Sequence, residues 1–401
     1  MKELLKKLKI SERADKFICL PLYLAVVCFG MIIISEPYQV SKFMSLGTWG
    51  IFFSILLGVL LKLLSKEKTL DDLWYLGLLF YSVVFSIIIT KTYTKPLIVD
   101  GIMFLELPLF LYYVDRRERK QFLNFLFFVF VFLTLYFLFL RIQPIAHLVR
   151  GPYRDIYVSY VTLGYSNPNL TAMYLLITLF VLIYAAYFYK DKKLKGLFFG
   201  LSFFVTFLIF ETMCRAVLVL AIVLWAYTLF HEKIKIKRWI ALLAFILPIL
   251  FVLFLVNFEF LYGKLTFLGD SFDTGRVNIY RRVFYFLDLM SAPFGNYAKF
   301  SFDNMHNAFM SIFATLGGLG VGLFLFYFIE KLMFTYYSVD NKIKRIPYFA
   351  IILLSIHACV ESAFFVSGSV YAVGAMIPFL LCNSSAKREG PLYEDNSRKL
   401  F

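Results

Sequence analysis

The chain has 401 residues, 61% of them hydrophobic, with 49 phenylalanines and a formal net charge of +15. Mean hydropathy is +0.77, whereas water-soluble domains carry about 45–50% apolar residues. A soluble globular class is excluded, and a polytopic membrane protein is expected.

In chain order, the opening stretch "MKELLKKLKISERADKF" is basic and amphipathic. The apolar run after it has no small-residue cleavage site, so a retained cytoplasmic N-terminus is expected rather than a signal peptide. Twelve apolar segments follow, at 17–35, 43–61, 73–90, 96–114, 122–140, 169–189, 196–211, 214–230, 239–257, 307–329, 347–365 and 367–383. Most approach the roughly 20 residues that a helix needs to cross a bilayer. The 35 residues between Lys195 and His231 are too many for one span. They are divided at "FETMCRA" into a tight hairpin. The expected fold is all-α: one integral membrane domain over 1–401, a bundle of about 12 transmembrane helices. Two longer outer loops cover 141–168 and 258–306, and a polar, mobile cytoplasmic tail covers 384–401.

The distribution of charge gives orientation. With the N-terminus inside, 29 of the 41 Lys and Arg residues fall in the seven inner segments. The outer side keeps 12 basic residues against 11 acidic ones, so nearly all of the net charge is cytoplasmic. That is the positive-inside pattern. The basic balance is therefore topology, and a nucleic-acid partner drops out. Inner loops such as "DRRERKQ" and "KDKKLK" are too short for a cytoplasmic catalytic domain, which leaves the outer face for any chemistry. The five cysteines (Cys19, Cys28, Cys214, Cys359 and Cys382) form no CxxC pair and no metal spacing. They read as small buried hydrophobes, and no metal or cofactor is expected.

Charged groups at membrane depth are costly and are the first functional suspects. Arg215 follows "FLIFETMC" at the outer end of the hairpin, with Glu211 one turn earlier. An i,i+4 pair with Glu211, or a snorkelling anchor, is the structural alternative there. In "DSFDTGRVNIYRRVFYFLDLM", Asp273 or Thr274 can cap a helix starting near Gly275. Val277, Tyr280, Phe284 and Leu287 share one face of it and Asn278, Arg281 and Asp288 the other. That pattern predicts an amphipathic helix on the outer leaflet, with Arg281 and Arg282 toward headgroups and Arg276 placed to meet an anion.

His306 stands at the first turn of the tenth span, where the helix dipole disfavours an imidazolium and leaves the ring a proton acceptor. Asn304 and Asn307 can cap that helix or orient the ring. Gly317, Gly318, Gly320 and Gly322 read as close helix packing. "SNPNLTAMY" supplies Asn167 as a cap and Pro168 as a first helical residue. Asp100 and Glu106 fall in or near the fourth apolar segment and face either a polar path or the bundle interior. The catalytic candidates are His306, Arg276 and Arg215. The substrate-binding candidates are Arg150, Arg154, Asn169, Arg281 and Asn307.

The order "ETMCRAVLVLA", then "TGR", then "HNAFM" followed by "LGGLGVG", with "GYSNPNLTAMYL" before them, resembles the O-antigen ligase and Wzy-type polysaccharide polymerase superfamily. The resemblance covers about 160–325, and Cys214 stands where that family usually has serine. It implies a GT-C-like membrane glycosyltransferase in the bacterial cytoplasmic membrane, with both termini cytoplasmic. Its substrate would be an undecaprenyl-diphosphate-linked oligosaccharide, polymerised into O-antigen, capsule or exopolysaccharide at the outer face. A flippase and a chain-length regulator of the same pathway would be partners, beside membrane lipid. Arg215 and Arg276 would hold the diphosphate, because guanidinium forks match phosphate oxygens. His306 would act as general base on the acceptor hydroxyl, with inversion at the anomeric carbon. A ligase moving finished glycan to another acceptor would use the same residues. From a different class, a lipid-linked-sugar flippase would show charges or broken helices near the midplane.

Overall fold

A computed structural model describes residues 17–65, 71–89, 104–114, 117–148, 160–166, 168–259, 266–267, 270–271, 276–287, 292–300, 305–361 and 370–385. Its principal helices are α1 (Leu20–Ser35), α2 (Ser41–Leu64), α3 (Asp71–Ile89), α4 (Glu106–Tyr113), α5 (Lys120–Arg141), α6 (Pro168–Phe188) and α7 (Lys192–Glu211). They continue as α8 (Arg215–Phe230), α9 (Arg238–Asn257), α10 (Arg276–Phe286), α11 (Ala308–Tyr336), α12 (Arg345–His357) and α13 (Val370–Asn383). Each of the twelve apolar segments thus carries a helix. Among the described residues, seven helices (α1, α2, α5, α6, α7, α9 and α11) are long and apolar enough to cross a membrane, and shorter apolar helices lie in α3, α8, α12 and α13. The chain is a helical membrane protein.

Local sequence explains the helix ends. α6 opens on Pro168, whose missing N–H costs nothing in a first turn. Asp191 caps α7 by accepting from the Lys193 and Leu194 amides at 2.7 and 3.1 Å. The α7–α8 hairpin turns where expected: α7 ends at Glu211, Met213 adopts a left-handed φ of 57°, and α8 begins at Arg215.

α6 is the axis of the bundle. It is apolar all round, 94% of its membrane-length window is buried, and α5, α7, α8, α12 and α13 pack against it. A helix without a polar face belongs in such a place. The peripheral helices instead expose large apolar side chains, including Trp74, Phe128 and Leu229 at 70% or more. Exposed apolar surface on this scale suits lipid.

The loops at the expected inner end are stitched together. Arg345 donates to the Val339, His231 and Glu232 carbonyls at 2.9 to 3.0 Å. Arg117–Glu118 pairs in parallel with Ser384–Ser385, so the first two residues of the expected mobile tail are held in a β-bridge. The rest of that tail lies outside the described residues.

Two features differ from the sequence reading. First, α10 packs on protein. Its Val277, Tyr280, Val283 and Leu287 are buried in a cluster with Val252 and Leu255 of α9 and with Met305, Met310 and Ala314. The face expected against the outer leaflet is covered by the bundle, and Phe284, from that expected face, is exposed.

Second, α11 is not one helix. Gly317 has φ 70° and ψ −169°, which breaks it. The break is a reversal. Phe309 and Phe324 rings lie 6.3 Å apart, although an unbroken helix would separate these residues by about 22 Å along its axis. Phe245 of α9 touches Phe309 at 5.4 Å and Phe328 at 5.7 Å, one ring from each arm. The short arm, Ala308–Leu316, therefore folds back along the long arm that starts at Gly318. Residues of the 258–306 segment close the break: the Gly318 and Leu319 amides donate to the Ala292 and Pro293 carbonyls at 2.9 and 3.0 Å. The Asn296 amide donates to the Ala314 carbonyl at 2.8 Å. Gly317 thus allows both a left-handed turn and a backbone-to-backbone approach, a stricter requirement than close helix packing.

Candidate functional site

The reversal of α11 sets the position of His306. Asn307 caps the short arm, its side chain accepting from the Met310 amide at 3.0 Å. The same carboxamide donates to the Pro248 carbonyl at 2.9 Å and the Cys359 carbonyl at 3.3 Å. Pro248 lies inside α9, nine residues before its end at Asn257, or about 13 Å down the helix. Asn307 is therefore tied to α9 well before the end of that helix, while the His306 ring beside it stays partly exposed. Asn307, expected on substrate, is wholly buried, and its carboxamide is bonded to the protein. It positions its neighbour.

His306 itself has φ 48°, a left-handed backbone that non-glycine residues adopt uncommonly. Tyr280 of α10 donates to its carbonyl at 3.5 Å. Burial pushes the Tyr280 phenol above its ordinary range, outweighing the opposing effect of Arg276, so the hydroxyl remains a donor. The His306 ring is partly exposed, and its Nδ1 lies 3.4 Å from Oε2 of Glu361.

Glu361 ends a tight turn after α12. Its own amide and that of Val360 donate to the His357 carbonyl at 3.0 and 2.9 Å. Arg276, half-buried at the first position of α10, donates from Nη2 to the Val360 carbonyl at 3.2 Å. Arg276 and His306 thus converge on two adjacent residues of one turn. α8 packs on α12, the helix that leads into this turn. Arg215 is half-buried at the first position of α8.

The remaining candidates are placed elsewhere. Glu211 is engaged by Arg141 of α5, whose Nε and Nη2 reach its two oxygens at 2.8 and 2.6 Å. Arg281 is on the exposed face of α10 and pairs with Glu259 at 2.6 Å. Asn169 is exposed in the first turn of α6. Arg150, Arg154, Asn304 and Asp100 lie outside the described residues. Glu106 is fully buried in α4, in the bundle interior.

Glu361 is the group that the sequence reading passed over. A signal was present: it is the single acidic residue in the apolar segment 347–365. A lone carboxylate in such a segment is a functional suspect by the rule applied to Arg215.

No protein-family model, curated protein or solved structure matches the chain.

The site offers a partly exposed imidazole, a carboxylate on its Nδ1 side, and an arginine from α10 bonded to the carbonyl of the residue before that carboxylate. Such a set can take a proton at the ring and hold an anion at the guanidinium.

Proposed function

We propose that the chain is a membrane glycosyltransferase of the O-antigen ligase and Wzy-type kind. It would polymerise polyprenyl-diphosphate-linked oligosaccharide repeat units into a surface polysaccharide at the outer face of the bacterial cytoplasmic membrane. The observation that carries this reading is the convergence of Arg276 and His306 on the Val360–Glu361 turn. Transfer needs a base for the acceptor and a cation for the leaving group, and these residues supply both within one site.

In this reading the acceptor sugar hydroxyl gives its proton to His306 as its oxygen bonds to the donor's anomeric carbon. The bond from that carbon to the diphosphate oxygen breaks, and the leaving group keeps the electron pair. Arg276 and Arg215 offset the charge that develops on it. Direct displacement inverts the anomeric centre.

The test is an in vitro reaction of purified protein in nanodiscs with polyprenyl-diphosphate-linked repeat units. The wild type should give longer glycans, and His306→Ala and Arg276→Ala should not. Wild-type product lengths from both variants would place the chemistry elsewhere.

The broken α11 is the observation that favours a flippase, since transporters often build sites at discontinuous helices. Against it, the amides after the break already donate to the Ala292 and Pro293 carbonyls. Proteoliposomes carrying a fluorescent lipid-linked sugar decide the point: protein-dependent exposure of the label to an impermeant quencher would favour transport.

A further inference from the structure

We propose that Glu361 is a positioning residue for His306: its carboxylate accepts a hydrogen bond from Nδ1–H, so that the basic lone pair of the neutral ring is on Nε2. This rests on the transferase reading, in which His306 takes the acceptor proton.

The geometry holds the two residues in one register from several directions. The turn bearing Glu361 and the turn bearing His306 are joined by backbone: the Ala308 amide donates to the Ala358 carbonyl at 3.0 Å. The Asn307 carboxamide joins them again at the Cys359 carbonyl. Arg276 holds the same turn one residue away, at Val360. Tyr280 reaches the His306 carbonyl from α10. His306 is thereby kept at a left-handed φ of 48°, an uncommon conformation that persists only where the surroundings over-determine it.

The chemistry follows from donor and acceptor inventory. An ionised carboxylate only accepts, so the Nδ1 facing Glu361 must carry the hydrogen. The neutral ring then has its lone pair on Nε2. When Nε2 takes the hydroxyl proton, the imidazolium forms beside a negative charge that is already in place. Orientation and charge stabilisation by a carboxylate behind an imidazole is a general way to build a base. At 3.4 Å the contact is at the long end of hydrogen bonding, and such contacts tighten when substrate binds.

The test combines a spectroscopic readout with kinetics on the full-length protein in nanodiscs. With 15N-labelled histidine, and His306 assigned by its loss in His306→Gln, the neutral ring should show the Nδ1–H tautomer. Glu361→Ala should change it to Nε2–H. Glu361→Asp, which keeps the charged acceptor, should retain the wild-type tautomer. Glu361→Ala should lower kcat by about 10- to 100-fold, part of the roughly 10²- to 10⁴-fold that a positioned base contributes, with KM unchanged, and Glu361→Asp should recover part of it. Glu361→Gln keeps the size and loses the charge, so it should also lower kcat, and it carries the test if Glu361→Ala folds poorly. An Nε2–H tautomer in the wild type, or wild-type kcat in both Glu361→Ala and Glu361→Gln, would overturn the assignment. If the tautomer changes as expected but the wild type makes no glycan, the transferase reading fails while the pairing stands. If glycan forms and the tautomer does not respond, only the role of Glu361 fails.

Discussion

His306 Nδ1 and Glu361 Oε2 lie 3.4 Å apart across 55 residues of chain. Neither side chain is brought there by its own helix. His306 precedes the short arm of α11, which is folded back by the break at Gly317, and Glu361 closes the turn after α12. The pair exists because the segment before α11 and the turn after α12 meet and are tied together through Asn307 and Ala308.

Arg276 should be more sensitive than its neighbour Arg281. Arg276 reaches the Val360 carbonyl beside the His306–Glu361 pair, whereas Arg281 pairs with Glu259 on an exposed face. Arg276→Lys keeps the charge and loses the planar fork, and hydrogen bonds to charged groups contribute about 1.5–3 kcal/mol. Initial transfer rates should therefore fall about 10- to 100-fold in Arg276→Lys and by less than about 2-fold in Arg281→Ala. Equal loss in both would mean that the α10 arginines act as a general basic patch.

Asn307 should act on stability before it acts on chemistry. Asn307→Ala removes both donors to the Pro248 and Cys359 carbonyls and the cap on Met310. Leaving buried carbonyls unsatisfied costs about 1–3 kcal/mol. A lost cap costs about 1 kcal/mol more. Asn307→Ser keeps a capping hydroxyl and loses the amide donors without burying a charge, so its unfolding temperature in detergent should lie between those of the wild type and Asn307→Ala.

The glycines of α11 should separate cleanly. At Gly317 a Cβ would overlap the Pro293–Phe294 peptide at a positive φ, whereas at Gly318 the nearest atom is 3.9 Å away. Gly317→Ala should destabilise the protein by about 2 kcal/mol or more, and Gly318→Ala should be neutral or mildly stabilising. Thermal unfolding of the two variants side by side measures this.

The reversal itself can be tested by cross-linking. In a background without the five native cysteines, Phe309→Cys with Phe324→Cys should be joined by a short bifunctional thiol reagent. Their rings are 6.3 Å apart in the reversed arms. A continuous helix would hold the two sites about 22 Å apart along its axis and give no product.

Much of this protein is legible from its residues taken in order. Hydropathy is a local property, so the twelve apolar segments each found their helix. The α7–α8 hairpin was readable because 35 residues cannot fit one span and "FETMCRA" offers a polar turn. The same locality explains the misplacements. The amphipathic face of α10 shows that something apolar must cover it, but not whether lipid or protein does so. Here α9 and the short arm of α11 take that place. Glu211 stands one turn from Arg215 in sequence, yet a bidentate partner arrived from α5, since Arg141 ends its helix at the same level.

The sequence by itself determined the class of the molecule, its apolar segments and the charge asymmetry between its two sides, because each depends on composition within a short window. It also singled out His306 and Arg276 as polar groups at the edge of apolar stretches. Only the tertiary structure decided that they reach adjacent residues of one turn, Arg276 at the Val360 carbonyl and His306 at Glu361. Those relations depend on a reversal at one glycine and on contacts between distant turns. Their geometry is set by packing and hydrogen bonding between elements, which no local pattern encodes.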